Sequence, residues 1–298
     1  MLPTLRQLQY LKLLAEHRSF SRAAEAAHVT QPTLSAGVQE LERILGAPVV
    51  DRGRAGVILT AAGEEAVSRA EAILAQAEDL VQAARGASQP LAGRFRLGVI
   101  PTIAPFLLPR ALPALRQRYP KLRLFLREDL TGRLIAGLKS GALDAALVAL
   151  PYEMAGLDWA PVQEDALYAA FPANHPLSAE ARVTPERLAA EDMILLEDGH
   201  CLREHALAAC GLADGRARDE AAFAATSLPT LVQMVGSGLG VSFLPAMAVE
   251  AGLADAAAVT VRPLAAEHAS RQIVVAWRAG SSRSVEGRLL AELMQAQG

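Results

Sequence analysis

The first 60 residues contain three stretches whose hydrophobic positions recur at helical spacing. Leu5, Leu8 and Leu11 give the first predicted helix an apolar stripe. The second stretch is marked by small residues that permit close helix crossing, namely Ala23, Ala24, Ala26 and Ala27. In the third, hydrophobic residues at intervals of four, three and four positions predict a buried face made of Leu34, Val38, Leu41 and Leu45.

Capping residues separate these three helices. Ser21 is suited to cap the second helix, and a break is expected at residues 28–29. Thr30 is then a suitable N-cap for the third helix, and Pro32 falls in its first turn, where a missing N–H is tolerated. Gly46 is suited to end that helix. Two helices joined by a tight turn predict a helix-turn-helix, although an ordinary helical hairpin has the same pattern.

Residues 49–60, which follow the third helix, predict two short strands around a turn at residues 53–56. Such a hairpin forms a wing beside the third helix, with Arg52 and Arg54 placed to meet phosphate. The polar face of the third helix offers uncharged groups that can hydrogen-bond base edges or phosphates, namely Gln31, Thr33, Ser35 and Gln39. Together these features favour a winged helix-turn-helix that binds double-stranded DNA.

A long helix is predicted from residue 61 to about residue 86, with Thr60 as its cap. Apolar positions recur along it at spacings of four, three, four, three and four, a heptad seam made of Ala66, Ala70, Ile73, Ala77, Leu80 and Ala84. A helix that extends from a small domain has little else to bury this stripe. Pairing with a second copy is therefore the preferred interpretation, and packing against its own chain is the alternative.

The charge of the chain does little to favour nucleic-acid binding. The net charge is −3 at pH 7, and residues 1–60 hold seven Lys and Arg against five Asp and Glu, a net charge of +2. Intrinsic affinity for DNA is therefore expected to be weak, and presenting two or more copies to one site would raise it.

The run SFSRAAEAAHVTQPTLSAGVQELERILGAPVVDRGRAGVILTAAG resembles the DNA-binding region of LysR-type transcriptional regulators, and the resemblance covers about residues 3–87. It implies a winged helix-turn-helix at residues 1–60 and a linker helix at residues 61–87 that forms a dimer. It also implies that the start of the recognition helix enters the major groove with Gln31, Pro32, Thr33 and Ser35.

From residue 93 onward the pattern changes to strands that alternate with helices. Apolar strands are predicted at Phe95–Ile100, Leu122–Arg127, Ala145–Leu150, Ala166–Phe171, Met193–Leu196, Val241–Leu244 and Ile273–Ala276. Helices are predicted at Pro105–Arg118 and Thr131–Ser140. Continuous apolar strands separated by helices favour parallel sheets covered on both faces, and the last strand is expected to return to the first lobe.

The same family resemblance implies an α/β effector domain at residues 88–298, built from two Rossmann-like lobes around a cleft, as in periplasmic binding proteins. Lobe I is expected to comprise about residues 93–163 and 268–298, and lobe II about residues 164–267. A cleft between lobes is a usual place for a small ligand.

The chain has two cysteines, Cys201 and Cys210. The N-terminus lacks the features of a signal peptide, and no window offers the roughly 18 uninterrupted apolar residues of a membrane span. The protein is therefore expected in the reducing cytoplasm, away from membranes, with cysteines that are free, catalytic or redox-sensing.

Cys201 has neighbours that favour a reactive thiolate. His200, Arg203 and His205 surround it in sequence, and a helix is expected to start just before it, whereas Cys210 has no such neighbours. Nine residues of helix separate two Cα atoms by ~13.5 Å, whereas a disulfide needs a separation within about 7 Å. If the segment is helical when reduced, a disulfide must unwind or bend it. The alternative is that both cysteines are buried as small hydrophobic residues.

The segment LLEDGHCLREHALAAC resembles the redox centre of the hydrogen-peroxide-sensing members of the same family. The resemblance implies that Cys201 attacks peroxide and that Cys210 resolves the resulting sulfenic acid to a disulfide. It also implies a shell of residues that position peroxide, made of Thr102, Thr131, His200 and Arg271. The assignment of Arg271 is the weakest of the four. From the residues alone, both threonines are equally suited to be helix N-caps, and His200 to be a solvated loop residue.

The partners follow from the same resemblance. They are promoter DNA, further copies of this chain in a dimer of dimers, hydrogen peroxide, RNA polymerase and a thiol reductant that resets the disulfide. The sequence has no CxxC, HExxH or glycine-rich phosphate loop, so neither a metal nor a nucleotide cofactor is expected. Two other hypotheses stay open, namely a regulator that binds a small metabolite in the cleft and a thiol peroxidase.

Overall fold

A computed structural model describes residues 1–53, 56–84, 90–209, 211, 224–266 and 269–297. The chain divides into two compact units, an N-terminal unit of Met1–Ser88 with Lys139–Ala142 and a C-terminal unit of Gln89–Leu138 with Leu143–Gly298. The boundary expected at residues 87–88 lies outside the described residues, as do Arg54 and Cys210.

The N-terminal unit is made of four helices and one hairpin within these residues. In chain order they are α1 (Leu5–His17), α2 (Phe20–Ala26), α3 (Gln31–Leu45), β1 (Val50–Gly53), β2 (Gly56–Leu59) and α4 (Ala61–Ala84). The two strands pair antiparallel, from Val50 opposite Leu59 to Gly53 opposite Gly56. The predicted three helices, wing strands and long helix are confirmed.

The caps of these helices follow the sequence except at α2. Thr30 caps α3 through the backbone N–H of Thr33, and Gly46 ends α3 in the left-handed region at φ 71°. The prediction that Ser21 caps α2 was wrong, because Ser19 accepts the hydrogen bond from the backbone N–H of Arg22 and α2 begins one residue later.

Two predictions about buried faces in this unit also need correction. Leu34, Val38 and Leu41 are fully buried, but Leu45 is 45% exposed because it lies in the last turn of α3, beyond the hydrophobic cluster. Along α4, part of the predicted seam is buried by the chain itself and not by a second copy. Ala70 is buried within the N-terminal unit, where α4 packs against α1, whereas further members, Ile73 and Leu80, are exposed.

The C-terminal unit contains two hydrophobic clusters, which we call the lobe I cluster and the lobe II cluster. Its first elements are β3 (Gly93–Val99), α5 (Ala104–Arg118), β4 (Leu122–Glu128), α6 (Thr131–Lys139), β5 (Ala145–Leu150) and β6 (Leu157–Pro172). The next are α7 (Pro185–Ala189), β7 (Leu195–Leu196), α8 (Cys201–Ala209), β8 (Ala224–Ala225), α9 (Leu228–Gly236) and β9 (Ser242–Pro245). The last are α10 (Ala246–Glu250), β10 (Val259–Pro263), β11 (Ser270–Arg278) and α11 (Ser284–Gln295).

The main sheet has the strand order β10-β6-β11-β5-β3-β4, with β9 also paired to β6. The prediction of parallel sheets was only partly right. Strand β3 pairs parallel with β4 and β5, and β7 pairs parallel with β8, but β11 is antiparallel to both β5 and β6. The chain leaves lobe I along β6 and returns along β11, so these two strands necessarily run in opposite directions. The predicted return of the last strand to lobe I is confirmed.

Candidate functional site

Cys201 is the first residue of α8 and is 4% exposed. Gly199 just before it has φ +93°, a conformation that L side chains rarely adopt, and it turns the chain into the helix. The Cys201 side chain packs with the lobe I cluster, while Leu202, Ala206 and other residues of α8 pack with the lobe II cluster. The helix therefore lies between the two cores, with its cysteine against lobe I.

A narrow crevice adjoins Cys201, and the space inside it is too small to admit a water molecule. Its walls come from the loop after β3, the start of α6 and the turn before α8, and are formed by Ile100, Pro101, Thr102, Leu130, Thr131, Gly199, His200 and Cys201. Three of the four residues predicted to position peroxide thus line the same crevice as the cysteine. Arg271 is not among these lining residues.

Arg271 instead lies behind Thr102, fully buried at 1% exposure. Its Nη1 donates to Thr102 Oγ1 at 2.7 Å, and its Nη2 donates to the Thr102 carbonyl oxygen at 3.0 Å. Its Nε donates to Asp165 Oδ2 at 2.9 Å. Arg271 is therefore connected to the crevice through Thr102.

Thr131 occupies the first position of α6 and is 1% exposed. Its Oγ1 has no hydrogen-bond partner among the residues that the structure describes. Neither Thr131 nor Thr102 caps a helix through its side chain, since α5 has Ile103 at its N-cap without a side-chain bond. An unpaired buried hydroxyl on a crevice wall is a polar group available to a small bound molecule.

The two histidines beside Cys201 do not supply the positive charge that their sequence positions suggested. Burial lowers the pKa of His200, and the nearby Glu197 carboxylate offsets this only in part. Burial likewise lowers the pKa of His205, whose hydrogen bond between Nε2 and the Pro151 carbonyl raises it and whose proximity to Arg271 lowers it again. Both imidazoles are therefore neutral near pH 7.

Arg203, the third basic neighbour, is buried and makes two polar contacts. Its guanidinium donates to the Leu196 carbonyl oxygen at 3.2 Å and lies 3.1 Å from the exposed Asp198 carboxylate. Because Leu196 lies on β7, this bond joins α8 to the strand before it. In addition, the N-terminal end of α8 presents backbone N–H groups that interact favourably with an anionic group.

Helical structure predicted for residues 202–209 is confirmed, since α8 spans Cys201–Ala209. The resolving role predicted for Cys210 falls on a residue outside the described part of the chain. Eight residues of helix carry the backbone ~12 Å along the axis from Cys201 to Ala209, which is beyond the Cα separation of about 7 Å that a disulfide tolerates.

Sequence reasoning missed Asp165 and His205 as parts of the site's surroundings. Asp165 is 1% exposed and lies directly opposite Arg271 in the antiparallel pairing of β6 with β11. An acidic residue at the start of the apolar run ALYAAF was the available signal. His205 was noted only as a neighbour of Cys201, although Nδ1 of its buried ring has no partner within the described residues.

The candidate DNA-contacting face lies at the N-terminus of α3. Gln31, Pro32 and Thr33 are exposed and Ser35 is partly buried. Gln31 Oε1 accepts a hydrogen bond from Ser21 Oγ at 3.0 Å, which ties α2 to the start of α3. Arg52 belongs to β1, where only its backbone is described, and Arg54 lies outside the described residues.

The described residues contain neither a metal-binding cluster nor a membrane-spanning helix. No group of three or more His, Cys, Asp or Glu side chains is placed to hold a metal ion there. No described helix has both the length and the apolar character needed to cross a membrane.

Two family models match the chain. Residues 5–64 match the bacterial regulatory helix-turn-helix protein model of the lysR family, and residues 88–298 match the LysR substrate binding domain. The regulator EstR of Acinetobacter baylyi is 43% identical over 83% of this chain and 81% of its own length. A probable hydrogen peroxide-inducible genes activator of Mycobacterium avium is 41% identical over 98% of this chain and 93% of its own.

The solved structures that match over the whole chain include two OxyR proteins. Full-length OxyR from Pseudomonas aeruginosa, in a Cys-to-Asp variant, has a TM-score of 0.78 at 35% identity and is covered over 99% of its length. A Cys-to-Ser variant of OxyR from Corynebacterium glutamicum with hydrogen peroxide bound has a TM-score of 0.66 at 32% identity and is covered over 93%.

Proposed function

Because the chain belongs to the LysR family of bacterial helix-turn-helix regulators, we propose that it is a transcription regulator that senses hydrogen peroxide through Cys201. One observation carries the proposal. A buried cysteine at the start of a helix shares a narrow crevice with the side chains of Thr102, Thr131 and His200.

The names of the relatives support the same function. The Mycobacterium avium protein is named a probable hydrogen peroxide-inducible genes activator, and the Corynebacterium glutamicum structure holds hydrogen peroxide. The matches to both proteins extend along nearly the whole chain.

The reaction at Cys201 balances as follows. The thiolate attacks one oxygen of hydrogen peroxide, the S–O bond forms, and the O–O bond breaks with its electron pair going to the leaving oxygen. That oxygen takes up a proton and departs as water, while the sulfur, oxidised by two electrons, becomes a sulfenic acid. Thr102, Thr131 and His200 are the groups we assign to holding the two oxygens.

Cys210 then attacks the sulfenic sulfur, and water leaves as the disulfide forms. Because α8 holds its two ends ~12 Å apart, the disulfide requires α8 to unwind or bend. Contacts that α8 makes with both cores, such as that of His205 with the Pro151 carbonyl, would then be lost. Oxidation of the thiol pair would thereby change the conformation of the C-terminal unit.

The regulatory part of the proposal concerns DNA and assembly. Gln31, Pro32, Thr33 and Ser35 would enter the major groove, with Arg52 and Arg54 on phosphate. The exposed members of the α4 seam would pair two copies, and two such dimers would form a tetramer whose arrangement depends on the disulfide. RNA polymerase and a thiol reductant would be its further partners, in the cytoplasm where promoters are found.

The test is a count of free thiols by mass spectrometry, before and after a low-micromolar pulse of peroxide on the reduced protein. We expect both thiols to be lost within seconds and the Cys201 and Cys210 peptides to be linked. The Cys201→Ser variant should lose the peroxide response in promoter binding, and Cys210→Ser should stop at the sulfenic acid. Two thiols that survive the pulse would exclude the mechanism.

Two competing functions have their own outcomes. A small molecule that changes DNA binding of a Cys201→Ser, Cys210→Ser double variant would indicate a metabolite sensor. Sustained turnover of peroxide with a reductant, at rates suited to detoxification, would indicate a thiol peroxidase.

A further inference from the structure

A buried chain of hydrogen bonds connects Asp165 to the wall of the crevice through Arg271 and Thr102. Asp165 lies on β6, Arg271 on β11, and Thr102 in the loop after β3. All three are at most 2% exposed. This series of hydrogen bonds therefore reaches the crevice wall from the protein interior, where solvent does not compete for the bonds.

The direction of each hydrogen bond in this chain follows from the donors present. A guanidinium has five N–H donors and no acceptor. Thr102 Oγ1 must therefore accept from Arg271 Nη1 at 2.7 Å, and the hydroxyl proton of Thr102 cannot point at Arg271. Since Thr102 lines the crevice, its hydroxyl is left to donate on the side where Cys201 lies.

Both carboxylate oxygens of Asp165 accept hydrogen bonds, and one of them holds the guanidinium in this orientation. Oδ2 accepts from Arg271 Nε at 2.9 Å, and Oδ1 accepts from the backbone N–H of Met247 at 3.0 Å. The sheet register places Asp165 directly opposite Arg271, and Met247 belongs to α10. The carboxylate is thus fixed at two points, and it fixes the Arg271 fork in turn.

We propose that Asp165 is a positioning residue for the reaction of Cys201 with peroxide. It holds Arg271 on the acceptor side of the Thr102 hydroxyl, so that this hydroxyl donates a hydrogen bond to the oxygen that leaves when the O–O bond breaks. This inference rests on the proposed function. It adds a residue outside the crevice that acts on the transition state through Thr102, without touching peroxide.

The test is a double-mutant cycle on the second-order rate constant for oxidation of Cys201 in the full-length protein. We expect Thr102→Val to slow the reaction by about 100-fold, as for other lost transition-state donors, and Asp165→Asn to slow it by roughly tenfold. Because Asp165 acts through Thr102, adding Asp165→Asn to Thr102→Val should cause no further loss. Equal factors for Asp165→Asn in both backgrounds would overturn the inference.

Alkylation of Cys201 by iodoacetamide separates positioning from a general loss of structure. That reaction uses the same thiolate but expels iodide, which needs no proton. We expect Asp165→Asn to lower the ratio of the peroxide rate to the iodoacetamide rate, whereas a merely structural role would change both rates together. An unchanged ratio would contradict the proposal.

Two other variants complete the design. Asp144→Asn is the matched control, because Asp144 is 8% exposed and pairs with Arg96 in lobe I, away from the residues that line the crevice, so the ratio should not change. If Asp165→Asn does not fold, Arg271→Lys keeps a charge opposite Asp165 but removes the fork, and it should lower the same ratio. An unchanged ratio in Arg271→Lys would also overturn the inference.

The two proposals fail in different ways. If wild-type Cys201 does not react with peroxide, the proposed function is wrong. If it reacts rapidly while the cycle is additive, the function stands and the role of Asp165 is wrong.

Discussion

Replacing Thr131 by Val removes a buried hydroxyl that has no hydrogen-bond partner within the described residues, and it keeps the shape of the side chain. Leaving a buried polar group unpaired costs about 1–3 kcal/mol of stability. We therefore expect Thr131→Val to raise the free energy of unfolding of the C-terminal unit by about 1–2 kcal/mol. For a unit of this size the melting temperature should rise by about 2–4 °C for each kcal/mol.

The same substitution should weaken the proposed reaction. If the Thr131 hydroxyl holds peroxide, its loss should lower the rate of Cys201 oxidation by about 10- to 100-fold. A variant that is more stable and less reactive is the expected signature of a polar group retained for function.

Thr102→Val is the matched control, because the Thr102 hydroxyl is also buried but accepts a hydrogen bond from Arg271. Losing a hydrogen bond to a charged group should destabilise the protein by about 1.5–3 kcal/mol. The identical chemical change at the two positions should therefore shift the melting temperature in opposite directions.

The assay is thermal and urea unfolding of the reduced full-length protein, followed by circular dichroism, with thiol loss measured in parallel. A Thr131→Val protein that melts below the wild type would show that the hydroxyl is satisfied in the folded state, and the reasoning would be refuted. A stabilised variant with an unchanged oxidation rate would refute only the role in holding peroxide.

Three further predictions concern stability. Burial lowers the pKa of His205 below its ordinary value of 6.5, so the unfolded chain binds more protons than the folded chain as the pH falls. The part of the stability that depends on neutral His205 should be fully present above about pH 6.5 and lost as the pH falls through the folded-state pKa. His205→Gln should flatten this dependence in urea titrations at several pH values. Gly63→Ala would push a Cβ atom into the Val49 carbonyl oxygen and should destabilise the N-terminal unit by about 3 kcal/mol, measured by thermal unfolding; an unchanged melting temperature would contradict the packing at this glycine. Ser19→Ala should lower the free energy of unfolding by about 0.5–2 kcal/mol through loss of the α2 cap, whereas Ser21→Ala should change it little. The opposite ranking would show that Ser21 caps α2.

The features predicted correctly from sequence were those set by residues within one or two turns of one another. Thr30, Pro32 and Gly46 act on backbone groups a few positions away, so their roles at the ends of α3 could be stated in advance. The cap of α2 was missed because Ser19 and Ser21 both fit the local rule. The choice between them depends on where α2 begins, which the packing of its alanines decides.

The redox site divides in the same way. His200 and Cys201 are adjacent in sequence, and the start of a helix beside them was expected, so this half of the site could be found without coordinates. Electrostatic surroundings could not, because the pKa of His200 is lowered by burial. Burial depends on chain segments far away in sequence, such as those that bring Thr102 and Thr131 to the same crevice.

The sequence by itself therefore determined the helices of the N-terminal unit, α5 and α6, most of the strands and the order of the two units. These depend on periodicity and on neighbours along the chain. Only the tertiary structure decided the mixed sheet, the unpaired hydroxyl of Thr131 and the contact of Asp165 with Arg271. The last contact arises from the antiparallel register of β6 and β11, which pairs residues 106 positions apart, and such pairings follow from the global packing of the chain.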